Sequence, residues 1–312
     1  MTPARVSPET SALAARIPPG VWLGTSSWSF PGWAGIVYGT RETEARLARD
    51  GLAAYASHPL LRAVGIDRTF YAPIDAATFA GYAAVVPERF RFLVKAHEVC
   101  TLARFPRHAR YGVSAGEANA LFLDAAYATD AVIGPCVEGL GAKAGPILFQ
   151  LPPQARAQLG DPSVFAARLH AFLTALPRGP VYAVELRNAY LLGREYAQAL
   201  AAAGAVHCSN AHPAMPELAA QRATAPNGAT RPLVVRWMLR RGLEYEGARD
   251  RYRPFDRIVD EDVPVRSAIA TLCQETVRSG REAYVVINNK AEGSAPLSAF
   301  RLAAEIAGPE PA

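Results

Sequence analysis

Residues 22–39 read WLGTSSWSFPGWAGIVYG. An apolar start, Val21 to Leu23, runs straight into a turn crowded with Gly, Ser, Trp and Pro. Trp28 and Trp33 are two of the four tryptophans of the chain, and they sit where neither a helical nor a strand period holds. Large rings on a Gly-rich turn after a short apolar run either plug one end of a barrel or floor a pocket. Loops carried by a rigid scaffold are also where binding and catalytic groups concentrate. The unit of a short buried run opening into a polar loop recurs along the chain, and its repetition decides the fold.

Seven further runs follow: Arg62–Asp67, Phe90–Ala96, Gly145–Leu151, Val181–Leu186, Ala205–Ser209, Leu233–Trp237 and Ala283–Ile287, after Val21–Thr25 as the first. Most are near-continuous hydrophobic stretches rather than alternations, which suits parallel strands covered on both faces. Helical patterns are predicted between them, at Thr43–Ser57, Asp75–Val85, Ala115–Ile133, Ser163–Ala175, Tyr190–Ala203, Pro264–Ser279 and Pro296–Ala307. Asp75, Asp161-Pro162 and Ser294-Ala295-Pro296 supply start signals. Eight strand–helix repeats in about 300 residues fit a closed TIM (β/α)8 barrel, for which roughly 250 residues is typical. The reading is a single domain over 21–307 behind a disordered lead-in over 1–20. The competing architecture is an open doubly wound sheet, because residues 211–232 are rich in Pro, Asn and Gly and carry only a short helical piece near Pro216–Arg222.

Composition narrows the class. Half of the 312 residues are hydrophobic, a fifth are charged, and the formal net charge is +5, which permits acidic ligands without resembling a nucleic-acid-coating protein. Four scattered cysteines with no CxxC pair suggest a reduced, cytoplasmic compartment rather than disulfide staples. No run approaches 18 apolar residues, so no membrane partner is expected.

In a barrel the polar residues at strand ends become the informative set, since active sites gather at the C-terminal face. Here they are Ser26 and Trp28; Asp67, Thr69 and Tyr71; Lys95 and His97; Gln150; Glu185 and Arg187; Asn210 and His212; Arg236; and Asn288 with Asn289. Lys95/His97 and Glu185/Arg187 are each two apart, a spacing that puts both members on one face of a strand. The result would be a dense, mostly cationic mouth suited to a phosphate or carboxylate. The bland alternative is a structural ion-pair layer, because buried charges are costly unless paired. His207, inside an apolar run, reads as a core histidine. Met238–Val263, with six arginines against seven acids, reads as a solvated lid.

Mechanisms can be sorted against this set. Glycosidase chemistry needs two facing carboxylates, and only Glu185 and Asp67 sit well. A metal site could draw on His97, Glu98, Glu185 and His212, but Lys95 and Arg187 beside them oppose a divalent cation. No GxSxG, P-loop or GxGxxG motif follows a strand, and no cofactor is expected. An enzyme is the leading expectation, with Glu185 as general base or ligand orienter, Lys95 and Arg187 holding the anion, and His97 as proton donor. Tyr71, Gln150 and Asn289 would position the substrate, and Trp28 would form an apolar wall, with Trp33 mere packing. The alternatives are a binding or nucleic-acid-associated protein using the same pocket, and a metal-dependent isomerase or phosphodiesterase built on His97, Glu185 and His212.

GTSSWSFPGWAGIVYG together with IDRTFYAP (66–73), FRFLVKAHE (90–98), GPILFQLPP (145–153), YAVELRNAYL (182–191) and VVINNKAEGSAP (285–296) resembles one family, the domain-of-unknown-function family 72 (DUF72, YecE-like). The resemblance runs in order from about residue 21 to 307. It implies a TIM barrel and no settled activity. The recurrent polar positions it implies are Ser26, Trp28, Thr69, Phe70, Tyr71, Lys95, Gln150, Glu185, Arg187, Asn288 and Asn289. The chain departs from the pattern at Asp67, where a Glu is usual, at Tyr190, where a Trp is usual, and at RWMLRRG (236–242), where Arg-Leu-His-Gly is usual.

Overall fold

The computed structural model describes residues 1–309. Eight parallel strands close in sequence order into a barrel: β1 (Val21–Thr25), β2 (Ala63–Ile66), β3 (Arg91–Lys95), β4 (Ala144–Gln150), β5 (Tyr182–Glu185), β6 (Val206–Ala211), β7 (Leu233–Trp237) and β8 (Ala283–Ile287). Each expected apolar run carries one strand. Closure is made by a full β1–β8 register, from Val21 opposite Ala283 to Thr25 opposite Ile287. The β1–β2 seam is shorter, with Gly24 opposite Ala63 and Thr25 opposite Val64. There the Tyr55 hydroxyl stands in for ladder bonds, accepting from the Thr25 N–H at 3.0 Å and donating to the Ala63 carbonyl at 3.0 Å.

Side chains alternate along each strand, and the barrel interior is therefore layered. At the N-terminal end Trp22, Ala63 and Tyr284 form one cluster, with the Trp22 and Tyr284 rings stacked at 6.1 Å. Above it lies a second apolar layer of Leu93, Leu148, Ala183, Val206, Cys208, Val234 and Val286. Two residues further along their strands come Lys95, Gln150, Glu185, Asn210, Arg236 and Asn288. The alternation that packs the apolar layers thus delivers a polar layer at the C-terminal mouth.

The strand seam also fixes where side chains cannot be. A Cβ added at Gly24 would stand 1.9 Å from the Ala63 carbonyl oxygen, a backbone atom of the paired strand. Gly24→Ala is expected to cost about 1–3 kcal/mol through forced strand displacement. Gly81→Ala, at an exposed position of the helix Ala76–Ala84 with open space around it, should instead gain roughly 0.5–1 kcal/mol. Thermal or chemical unfolding of both variants checks the contrast.

Two expectations are corrected. The 1–20 lead-in contains a helix, Pro8–Arg16, capped by the Ser7 side chain on the Thr10 N–H. It is docked by Arg62, whose guanidinium donates to the Ala14 carbonyl at 2.6 Å. The Ala115–Ile133 helix starts only at Ala125, and it continues through a π turn (Thr129–Ile133) into Gly134–Leu140. Residues 115–124 are instead a loop pinned by Asn119, whose amide donates to the Val99 and Leu102 carbonyls, each at 2.7 Å. No helix among the described residues is long and apolar enough to cross a membrane. All four cysteines are buried and free of disulfides.

Candidate functional site

The polar layer is organised around one arginine. Arg236, on β7 and fully buried, sends one amino group to Glu185 at 2.7 Å and to the Gln150 side-chain oxygen at 3.1 Å. The other amino group holds both oxygens of Asp67, at 3.0 and 3.2 Å. Glu185 has no solvent exposure, and its second oxygen is ion-paired with Arg187. Registry makes this convergence unavoidable, because Gln150 pairs with Glu185 across the β4–β5 ladder. Burial alone would raise the Glu185 carboxyl, but Arg187, Arg236 and Lys95 hold it down, at about 2. Burial likewise opposes the charge on Arg236, and Asp67 and Glu185 more than restore it.

A cavity of about 280 Å³ opens over this layer, bounded by Asp67, Lys95, Gln150, Arg187, Arg236 and Asn288, with Phe70, Tyr71, His212 and Tyr245 among its walls. Lys95 ends β3 and is buried, its Nζ 3.5 Å from the centroid of the Phe70 ring. It has no hydrogen-bond partner among the described residues, and burial pushes its amine down to about 8. His212 accepts the Ala214 N–H on Nδ1 at 3.1 Å. Burial, followed by repulsion from Arg187, lowers it to about 4, so at neutral pH it is uncharged with its proton on Nε2. Three cations (Lys95, Arg187, Arg236) face two carboxylates (Asp67, Glu185), which leaves the mouth net positive. A second cavity of about 290 Å³ shares His212 and Leu239 with the first and extends between residues 216–219 and 262–268.

Of the residues expected at the site, Asp67, Tyr71, Lys95, Gln150, Arg187, Arg236 and Asn288 line the cavity together, and Glu185 lies just beneath them. His97 does not join them. β3 ends at Lys95, so the two-residue alternation stops there, and the His97 ring turns to the Tyr127 hydroxyl at 2.6 Å. Thr69 is spent on backbone carbonyls of Ile66 and Lys95. Asn210 is buried and donates to the Leu186 carbonyl at 3.1 Å. Ser26 is tucked against the Ile287 carbonyl and the Asn288 amide. No group of three or more His, Cys, Asp or Glu among the described residues is arranged to hold a metal ion. The proposed His97–Glu185–His212 set is dispersed, because Glu185 is occupied by arginines and His97 by Tyr127.

The opening loop has a different task from the one expected. Trp28 is buried in the core, donating its indole N–H to the Leu47 carbonyl at 3.1 Å, and it forms no wall of the cavity. Trp33 donates to Asn289 Oδ1 at 3.2 Å, and the same oxygen accepts the Ala295 N–H at 2.8 Å. Asn289 thereby braces the loop through its oxygen, and its buried Nδ2 has no hydrogen-bond partner among the described residues. A Cβ on Gly32 would lie 1.7 Å from the Pro254 carbonyl oxygen, and Phe30 meets Phe255 edge-on at 5.7 Å. The aromatic loop therefore anchors the 238–263 segment over the mouth. Arginines of that segment are paired locally, Arg249 with Glu246 and Asp250, and Arg251 with Asp260.

Two residues near the mouth escaped the sequence reading. Tyr245 reaches the cavity from the 238–263 segment, and Lys290 is buried with its Nζ 3.9 Å from the Tyr245 ring centroid. Lys290 follows directly on Asn288-Asn289, and that adjacency was its one available signal. Tyr245 carries no periodic signal at all.

The sequence profile of a family described as "Protein of unknown function DUF72" matches residues 22–311. Among solved structures, a DUF72 family protein from Enterococcus faecalis V583 is similar at 16% identity, with a TM-score of 0.60, over 93% of this chain and 97% of that one. A DUF72 family protein from Thermotoga maritima MSB8 is similar at 20% identity, with a TM-score of 0.57, over 90% and 97%. No functionally curated protein matches the chain.

Proposed function

The chain belongs to the DUF72 family, and from that premise we propose that it is an enzyme acting on a small anionic or polyhydroxylated substrate at the mouth of its barrel. The observation that carries this reading is the pair of buried cations facing the cavity with donors not spent on the protein. Lys95 has no hydrogen-bond partner among the described residues, and the buried Nε of Arg187 has none either. The Lys95 amine is open to the cavity and free to meet an anion, and the sealed Nε of Arg187 leaves its guanidinium short of a partner. Glu185 serves as the orienter in this assignment. A carboxylate held near 2 by two arginines is a feeble base at neutral pH. Arg187 grips the anion, Gln150, Asn288 and Tyr71 position the rest of the substrate, and His212 offers an Nε2–H donor. Lys95, lowered toward neutrality, is the acid–base group.

Calorimetric titration with inorganic phosphate, small carboxylates and sugar phosphates tests the binding half. Lys95→Met unpairs no protein group and should weaken the tightest-binding anion by about 10–100-fold, the scale of a lost hydrogen bond to a charged group. Arg187→Gln should do the same. If wild-type protein binds none of these anions, or instead binds an oligonucleotide with a steep salt dependence, the assignment gives way to a nucleic-acid-associated one.

A further inference from the structure

Lysine is scarce in this chain. Of its 33 basic Lys and Arg residues only three are lysine, namely Lys95, Lys143 and Lys290. Lys143 is a conventional structural residue, donating to the Ala83 and Val86 carbonyls at 2.9 and 3.0 Å. The other two are buried at the barrel mouth, each amine set over an aromatic ring. A chain that uses arginine for nearly every other cation sets one lysine beside Arg187 and Arg236 in the lining of this cavity. Arginine offers the better fork for holding an anion, but it cannot give up its proton, whereas a buried lysine can. Anion grip is already supplied by Arg187. The property that Lys95 adds is a nucleophilic amine, and it alone of the three lysines lines the cavity. Its Nζ is committed to no hydrogen-bond acceptor among the described residues and rests on the apolar face of Phe70.

We infer that Lys95 condenses with the carbonyl carbon of an anionic aldehyde or ketone substrate, forming an iminium while Arg187 holds the anionic group. The inference rests on the reading of the mouth as an anion site. In the step, the Lys95 ammonium first gives a proton to water in the open cavity. The Nζ lone pair then bonds to the carbonyl carbon, and the C=O π pair passes to oxygen. That oxygen takes one proton from nitrogen and the second back from solvent, and leaves as water while the nitrogen lone pair closes C=N. One proton stays on nitrogen, so the iminium carries the single positive charge the ammonium began with, and no co-reactant is consumed. Burial lowers the amine to about 8, so about a tenth of it is neutral at pH 7, enough to start the exchange.

Reductive trapping tests this directly. Wild-type protein is incubated with pyruvate, with glyceraldehyde 3-phosphate and with uncharged acetone, each with cyanoborohydride, and the adduct is located by intact mass and peptide mapping. The expected result is one adduct on the Lys95 peptide with at least one anionic carbonyl, at least tenfold above acetone. Arg187→Gln should reduce it about tenfold. Lys95→Arg should abolish it. Which anionic carbonyl reacts separates a carboxylate from a phosphate substrate. Phosphate binding without any adduct overturns the iminium and leaves the anion site standing. Absence of both overturns the two together. Labelling that is spread over Lys143 and the N-terminus, or that falls on Lys290 instead, also overturns the inference.

Discussion

An Arg236→Met variant is expected to lose about 3–5 kcal/mol of folding stability, the cost of breaking a buried ion pair by removing one partner. Arg236 has no solvent exposure, and its two amino groups serve Glu185, Gln150 and Asp67. Methionine fills comparable volume without donors, so Glu185 would keep only Arg187 as a direct partner in a site closed to water. Asp67, partly exposed, can turn to solvent, so the penalty falls mainly on Glu185. Denaturant titration measures the loss directly, and for a domain of this size it corresponds to a thermal midpoint drop of roughly 5–8 °C. Arg236→Lys should fall between the two, since a single ammonium cannot reproduce the fork that spans three acceptors. A methionine variant within about 1 kcal/mol of wild type would mean that Arg187 alone compensates Glu185. The cage would then exist to shape the cavity and not to hold the barrel together.

The same cage shows how much of the molecule could be read from the chain. All eight strands were legible because parallel strands are buried on both faces and leave unbroken apolar runs. Glu185, Arg236, Gln150 and Lys95 were legible for a related reason. They continue an alternation whose earlier members are apolar, so their direction follows from the strand that carries them. Beyond a strand that logic no longer decides: Arg187, two residues past β5, still reaches the cavity, and His97 does not. His97 looked like the partner of Lys95, but β3 had already ended and the ring turned to Tyr127. Trp28 and Trp33 lie in a loop where no period applies, and only tertiary contacts assign one to the core and the other to bracing Asn289. The Ala-rich composition of 115–124 favoured a helix, and the Asn119 side chain decided otherwise by capturing backbone carbonyls. At the N-terminus, Ser7-Pro8-Glu9 is a complete helix-start signal, masked by the polar, Pro-containing stretch around it. Tyr245 reaches the mouth from a segment more than 170 residues from Asp67 in sequence, and no local pattern records that meeting.

Acidification should expose the cost of keeping Glu185 charged. Its carboxyl is held at about 2 in the folded protein, against 4.5 for the unperturbed group. The folded value lies below the unfolded one, so the folded state favours the ionised form. That contribution is fully present above about pH 4.5 and is lost as the pH falls toward 2. At 1.36 kcal/mol for each pH unit between the two values, the contribution is about 3 kcal/mol. The comparison that isolates it is wild type against Glu185→Gln, with unfolding free energies taken at several pH values from 7 to 2. Near pH 7 the variant should be several kcal/mol less stable, because Arg187 and Arg236 then face a neutral amide. Between about pH 4.5 and 2 the wild-type curve should fall toward the variant's by about 3 kcal/mol, while the exposed carboxylates titrate equally in both and cancel. Curves that stay parallel through that window would show that Glu185 keeps its ordinary acidity when folded. It would then be free to act as the base of the reaction, and the orienting role assigned to it would pass to Asp67.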